Sequence, residues 1–243
     1  FKYQNFCLEQ KYESLIFDNY LTINPGLRNT LSSLKYINLS HSPLLITGES
    51  GTGKEIIAKL AYEILNPSGA FVALSGASLA PSLLMSELFG HKKGAFTGAT
   101  EDKKGLVETA AGGVLFLDEL HLLPMEAQQA LLRFVETKEY RRVGDHETRK
   151  SSARIVAAAR ENLPELVAKG EFKDDLYYRL RSFHLHLTPL RERKEDSELQ
   201  LDHFIKKFFG HKRQLYISQE ARERITHHPF KDGNTRELMG LVE

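Results

Sequence analysis

The chain has 243 residues, with 33 Lys+Arg against 32 Asp+Glu, and its formal net charge of +1 argues against a nucleic-acid-coating protein or a polybasic membrane binder. At 41% hydrophobic and 27% charged residues it has the composition of an ordinary globular protein, long enough for one sizeable core and a small second subdomain. A single cysteine, Cys7, excludes an internal disulfide framework and fits a reducing compartment, and no apolar run approaches transmembrane length.

Residues 1–20 are mixed and weakly periodic, and read as a linker or the tail of a preceding domain. The opening FKYQNFCLEQ does not resemble a signal peptide, and a chain that begins at Phe1 reads as an excised cytoplasmic fragment. After Asn24-Pro25-Gly26, the segment LRNTLSSLKYINL has Leu27, Leu31, Leu34 and Ile37 at helical spacing. SPLLIT predicts a short buried strand. It runs into the glycine-rich GESGTGKE and then a helix, EIIAKLAYEIL, with Ile56, Ile57, Leu60, Ala61 and Ile64 on one face. A strand (AFVAL), a short helix (PSLLMSELF) and a loop carrying GAFTGA follow, then a strong strand (GGVLFLDE) and a helix from Pro124 to about Glu136. RIVAAA and FHLHL complete the strands.

Strands alternating with helices predict an α/β class with a parallel sheet covered on both faces. Beyond Pro189-Leu190 only helices are predicted, at about 196–209, 218–227 and 234–243. The division is therefore a segment 1–20, an α/β subdomain 21–189 and a helical lid 190–243. The charge run RERKED, 191–196, reads as a solvated connection between the last two.

Gly48, Glu49, Ser50, Gly51, Thr52, Gly53 and Lys54 satisfy the first seven positions of the P-loop pattern in strand–loop–helix context. Glycines let successive backbone N–H groups turn inward around phosphate oxygens, and the following helix directs its positive end there. Lys54 would bridge the β- and γ-phosphates. Glu55 stands where a Ser or Thr hydroxyl usually meets Mg²⁺. About sixty residues on, the apolar strand Val114–Leu117 ends in Asp118 and Glu119. Acids commonly end strands, but downstream of a P-loop Asp118 can hold the magnesium shell and Glu119 can polarise the attacking water. The pair specifies nucleoside triphosphate hydrolysis.

These residues resemble the AAA+ central domain, the sigma-54 interaction domain, of bacterial enhancer-binding transcriptional activators. GESGTGKE, ELFGHKKGAFTGA, GGVLFLDE, LLRFVETKEYRRVG, FKDDLYYRL, PLRER and GNTREL match that family's blocks in order, from about residue 21 onward. Glu55 in the eighth P-loop position looks like the family's own variant. The resemblance implies an ATPase using ATP and Mg²⁺, a homo-oligomer forming a hexameric ring as in the family, and contact with the sigma-54 RNA polymerase holoenzyme. The partner contact falls to Gly94, Ala95, Phe96, Thr97, Gly98 and Ala99, with a second loop from Glu139 to Gly144 beside it. Glu108 and Arg142 match positions that can pair between the two loops, an exposed and therefore weak contact. Arg236 is the lid arginine expected to touch phosphate, and Arg179 with Lys173 would reach a neighbour's nucleotide.

There are four departures from the family pattern. Ser75 stands where an Asn usually holds the catalytic Glu, and Ala159-Arg160 replaces the usual Thr-Asn pair. Lys173 replaces an arginine, keeping charge but losing the planar fork, where arginine fingers are worth about 10³–10⁵ in rate. Lys231-Asp232 replaces a Trp-Pro. Altered turnover and a nucleotide-gated scaffold with weak hydrolysis both remain open, and a nucleic-acid motor and a bare oligomerisation module are further alternatives. His184 and His186 read as a polar strand face, His227-His228 as a helix end, KKFFGHKR (206–213) as a solvated helix end, and Cys7 as unreactive. No helix-turn-helix is recognisable, so sequence-specific DNA binding would require a domain outside this segment.

Overall fold

The computed structural model describes residues 2–39, 41–77, 80–160, 162–210 and 217–243, without the side chains of 2–9, 81 and 82. In chain order the elements begin with α1 (Lys2–Asn19), α2 (Pro25–Ser32), β1 (Leu44–Gly48), α3 (Lys54–Leu65), β2 (Phe71–Ser75), α4 (Pro81–Phe89) and β3 (Gly90–His91). Then come β4 (Lys103–Lys104), α5 (Leu106–Thr109), β5 (Val114–Asp118), α6 (Met125–Thr137), β6 (Glu139–Tyr140), β7 (Arg149–Lys150) and β8 (Arg154–Ala159). The last are α7 (Leu163–Ala168), α8 (Asp174–Leu180), β9 (Phe183–Leu187), α9 (Lys194–Phe209), α10 (Gln219–Thr226) and α11 (Asn234–Val242). The chain divides into two compact units, one of Phe1–Tyr36, Thr47–Leu60 and His186–Glu243, the other of Ile37–Ile46 and Ala61–Leu185.

A five-stranded sheet runs in the order β2-β5-β8-β1-β9, and β5 pairs in parallel with both β2 and β8. Sheets of this kind are covered on both faces, so their strands read as continuous apolar runs. That is why Val114 to Leu117 and Ile155 to Ala159 are buried throughout, while Asp118 is the first residue of β5 to reach solvent. One core cluster joins Leu88 and Phe89 of α4, Leu115 and Leu117 of β5, Leu131 and Phe134 of α6, Ile155 of β8 and Leu176 of α8. Register sets Ser75 opposite Asp118 and Leu117 opposite Ala157, so Ser75, Asp118 and Ala159 all fall at the carboxyl ends of neighbouring strands. Ligand chemistry in open parallel sheets gathers at that edge.

In the first unit, Leu190, Leu201, Phe204, Phe230 and Leu238 form the apolar centre among the C-terminal helices. The charge run 191–196 departs from expectation. Arg193 and Asp196 have side chains that are 0% exposed and pair at 2.8 Å. The burial is satisfied: Asp196 also accepts from Thr22 Oγ1 (2.6 Å) and the Ile23 N–H (2.7 Å), and Arg193 Nε donates to the Thr188 carbonyl (3.0 Å). A charge leaves water only when geometry repays its desolvation, and here several hydrogen bonds do so.

Residues 2–19 form a helix where the weak periodicity suggested a linker, and Ile16 near its C-terminal end and the adjacent Tyr20 are buried. The helix expected from residue 27 stops at Ser32 and continues as a 3₁₀ stretch, Ser33–Leu39, with Leu27, Leu31, Leu34 and Ile37 buried as the spacing predicts. Its start is fixed by Asn24, whose side chain accepts the Leu27 N–H at 2.9 Å, and by Pro25 in the first turn. In α3, Ile57, Leu60, Ala61 and Ile64 are buried, but Ile56 is exposed because it lies a helical step outside that face.

Candidate functional site

In the first unit, β1 ends at Gly48 and α3 begins at Lys54, so the P-loop joins strand to helix as the motif requires. The Lys54 ammonium is buried and donates to the carbonyls of Gly48 (2.8 Å) and Glu49 (2.9 Å), while Thr52 Oγ1 donates to the Glu49 carbonyl (2.8 Å). Gly51 has φ +76°, and a Cβ added there would lie 1.8 Å from the Gly233 carbonyl oxygen. Only glycine fits. The buried Tyr20 hydroxyl donates to the Thr52 carbonyl at 2.6 Å, and burial pushes its phenol pKa up.

The loop is also held by its own acid. Glu49 takes a two-pronged pair from Arg191, 2.6 Å to each carboxylate oxygen, and a further donation from Asn234 Nδ2 at 3.1 Å. The Arg191 contact holds the Glu49 carboxyl below its usual range, with Asn234 assisting against the opposing effect of burial. Asn234 is buried, bonds the Ser50 carbonyl (2.9 Å) and accepts the Leu190 N–H (2.7 Å). Arg236 is exposed on α11, with its Cβ 3.3 Å from where a Gly51 Cβ would stand, so its stem borders the phosphate loop. Glu55 faces solvent and pairs with Lys59 at 2.8 Å.

In the second unit, Asp118 Oδ1 accepts the Glu119 N–H at 2.8 Å. Glu119 adopts the left-handed conformation, φ 50° and ψ 43°, a placement that non-glycine residues keep only when their surroundings impose it. Its Oε2 lies 3.2 Å from His121 Nε2 and 3.8 Å from Arg160 Nε. Ser75 Oγ accepts the Ala77 N–H at 3.3 Å, and Ala159 is buried and offers no polar group. Lys173 sits at the N-terminus of α8, its N–H donating to Gln128 Oε1 (2.8 Å), and Arg179 is exposed in that helix's last turn. Arg179 makes no ion pair among the described residues.

The GAFTGA segment lies between β3 and β4, which pair antiparallel. It closes on itself: the Gly94 N–H donates to the Ala99 carbonyl (2.8 Å) and the Ala99 N–H to the Phe96 carbonyl (3.0 Å). Gly94 and Gly98 have φ +82° and +102°, with nothing within 4 Å of an added Cβ. Phe96 is 38% exposed, its inner edge against the His91 ring at 5.0 Å, and Thr97 is exposed, while Ala95 is half-buried and Ala99 buried.

The hairpin β6–β7 lies against this loop's base. The Lys92 N–H donates to the Val143 carbonyl (3.0 Å) and the Val143 N–H to the Gly90 carbonyl (2.9 Å). Glu108 and Arg142 do pair, at 2.7 Å, but the expected exposed contact is not what forms: Arg142 is only 8% exposed, and the Tyr140 hydroxyl adds a bond to Glu108 at 3.1 Å. Arg142 holds the Glu108 carboxyl below its usual range, and burial first, then Glu108, pushes Tyr140 up to about 12.

His121, Arg191, Asn234 and Tyr20 are not among the candidate site residues that the sequence singles out. Arg191 and Asn234 lie in the family blocks PLRER and GNTREL, which was the available signal; Tyr20 and His121 carried none. His184 and His186 are exposed on β9, with His186 Nδ1 3.2 Å from Thr47 Oγ1, and His227 caps the end of α10. The Cys7 side chain and residues 211–213 of the basic cluster lie outside the described residues. No described group of three His, Cys, Asp or Glu side chains could hold a metal, and no described helix is long and apolar enough to cross a membrane.

A parallel sheet with a P-loop after one strand and acids at the end of another defines the AAA+ P-loop class of α/β proteins. The family model described as the sigma-54 interaction domain matches residues 21–186, and the chain belongs to that family. It is 42% identical over 226 residues to the regulatory protein AtoC of Escherichia coli K12, covering 92% of this chain and 49% of that one. The crystal structure of NtrX from Brucella abortus in complex with ADP superposes with a TM-score of 0.80 at 29% identity, over 92% of this chain and 49% of NtrX. The corresponding ATP complex gives 0.78 at 30% identity, over 90% and 47%. The chain spans about half the length of the curated relatives AtoC and AlgB.

Proposed function

We propose that this chain is the ATP-hydrolysing core of a transcriptional activator that remodels the sigma-54 RNA polymerase holoenzyme. The observation that carries this reading is the P-loop: Gly48 to Lys54 bends between β1 and α3 with a buried ammonium inside it, as a triphosphate cradle requires. The NtrX complexes with ADP and ATP support nucleotide as the ligand, and the family supports sigma-54 as the partner. Gly48 through Glu55 and Arg236 would bind the phosphates, and Glu119 would polarise water.

Arg179 and Lys173 would act on a neighbouring subunit's nucleotide in a homo-oligomeric ring, hexameric by analogy. The residues fit magnesium, since an ion shared with phosphates and water needs one or two carboxylates rather than a protein cage, and Asp118 offers one at the strand end. Bound there, the ion would neutralise phosphate charge. Residues 94–99 would touch the polymerase complex, with DNA bound through a domain beyond this segment and action in the cytoplasm. Residues 21–189 would be the nucleotide-binding subdomain and 190–243 the helical lid.

A second reading, a nucleotide-gated scaffold with weak hydrolysis, is favoured by Ala159, which removes a polar group from the catalytic edge, and by Lys173 in place of a forked arginine. Steady-state ATPase measured against protein concentration tests both. Turnover that rises cooperatively and collapses in Glu119→Ala supports the enzyme; ATP binding with turnover no faster than Glu119→Ala supports the scaffold.

A further inference from the structure

We infer that His121 and Arg160 are positioning residues that orient the Glu119 carboxylate. The inference rests on the proposed role of Glu119 in polarising water. The Glu119 main chain is fixed on three sides. Its N–H goes to Asp118 Oδ1, its carbonyl accepts the Leu122 N–H at 2.9 Å, and that carbonyl lies 2.7 Å from where a Cβ on Gly76 would stand. With the backbone pinned in the left-handed region, the remaining freedom belongs to the side-chain torsions.

What faces the carboxylate decides those torsions. Oε2 is buried and accepts no hydrogen bond from the described residues, although a carboxylate oxygen out of water ordinarily requires one. Two nitrogens flank it instead. His121 Nε2, at 3.2 Å, comes from the 3₁₀ turn Leu120–Leu122 and belongs to a buried side chain; Arg160 Nε, at 3.8 Å, comes from just past the end of β8, the strand beside β5. They approach from separate elements, so two independent contacts bear on the one oxygen. Attraction from the always-charged Arg160 guanidinium survives imperfect hydrogen-bond angles, and His121 adds to it when its Nε2 carries a proton, so the two favour one carboxylate orientation over others. A base that must meet a water in one geometry loses rate steeply when it is free to turn, since displacements near 1 Å can cost about 10²-fold.

The test is ATP turnover in Arg160→Ala, His121→Ala and Arg160→Lys, each alone and combined with Glu119→Gln, with thermal unfolding recorded for every variant. Arg160→Ala and His121→Ala should lower kcat about tenfold with KM for ATP changed less than about twofold, and Arg160→Lys should recover most of the loss. In the Glu119→Gln background neither substitution should lower kcat further. Where His121→Ala unfolds, His121→Asn replaces it. Unchanged or raised kcat in the single variants overturns the inference, as does an equal further loss on top of Glu119→Gln. Full turnover in Glu119→Gln alone would remove the catalytic assignment of Glu119, and this inference with it.

Discussion

Two glycine-rich loops of this protein share a local conformation and differ in everything around it. Gly51 and Gly98 both have positive φ, but a Cβ on Gly51 meets the Gly233 carbonyl at 1.8 Å and one on Gly98 meets nothing within 4 Å. The phosphate loop is walled in by Tyr20, Gly233 and the Glu49–Arg191–Asn234 contacts. The GAFTGA loop is braced at its base, by the Lys92 and Val143 main-chain bonds and by Glu108, Tyr140 and Arg142, while Phe96 and Thr97 at its tip are exposed. Glycine serves close approach in the first and freedom in the second. A cradle must keep its shape whatever it holds, whereas a contact tip gains from being able to move.

The largest effect that would break this contrast is expected at Gly51. Gly51→Ala combines strain at positive φ with a backbone clash, and should destabilise by on the order of 3 kcal/mol or more in urea unfolding, with loss of nucleotide binding. An unchanged midpoint would mean the wall around the loop is soft. Arg142→Ala comes next: it leaves Glu108 half-buried without its main partner and should cost about 2 kcal/mol. Amide exchange should then rise at 139–144 and 90–104 more than at 48–54. Gly98→Ala should cost only about 1–2 kcal/mol, from strain alone, and should leave nucleotide binding intact.

The smallest effect is in pH. Glu108 is held below its ordinary 4.5, so its contribution is present above that value and fades as pH falls through the depressed one. Tyr140 is raised from 10.0 to about 12, so its contribution is complete below pH 10.0 and lost as pH climbs through about 12. The difference in thermal midpoint between the wild-type chain and Arg142→Ala should stay level across that window, narrow as pH falls through the depressed Glu108 value, and widen on the alkaline side, where Arg142 opposes the upward shift of Tyr140.

What could be read from the sequence follows the range of the interactions. The P-loop, the apolar strands and the acids after β5 are local patterns, and each emerged within a residue or two of its predicted place. The braces are not local: Arg191 and Asn234 lie 142 and 185 residues from Glu49, and nothing near GESGTGKE announces them. The run 191–196 misled for the same reason, since a charge run reads as solvated unless its partners are known, and Asp196 finds Thr22 at a separation of 174 residues. Glu108 and Arg142 were named only because the family resemblance named them; their burial follows from Tyr140 and the β6–β7 hairpin, which no spacing encodes.

The central claim is that hydrolysis and partner contact reside in separate loops, one walled in and one open. The direct measurement is ATPase activity alongside binding to the sigma-54 holoenzyme for Phe96→Ala and Thr97→Ala. The account predicts turnover within about twofold of wild type, as expected for substitutions of exposed side chains, with binding to the holoenzyme abolished. Equal loss of both activities, or binding that survives both substitutions, would contradict it.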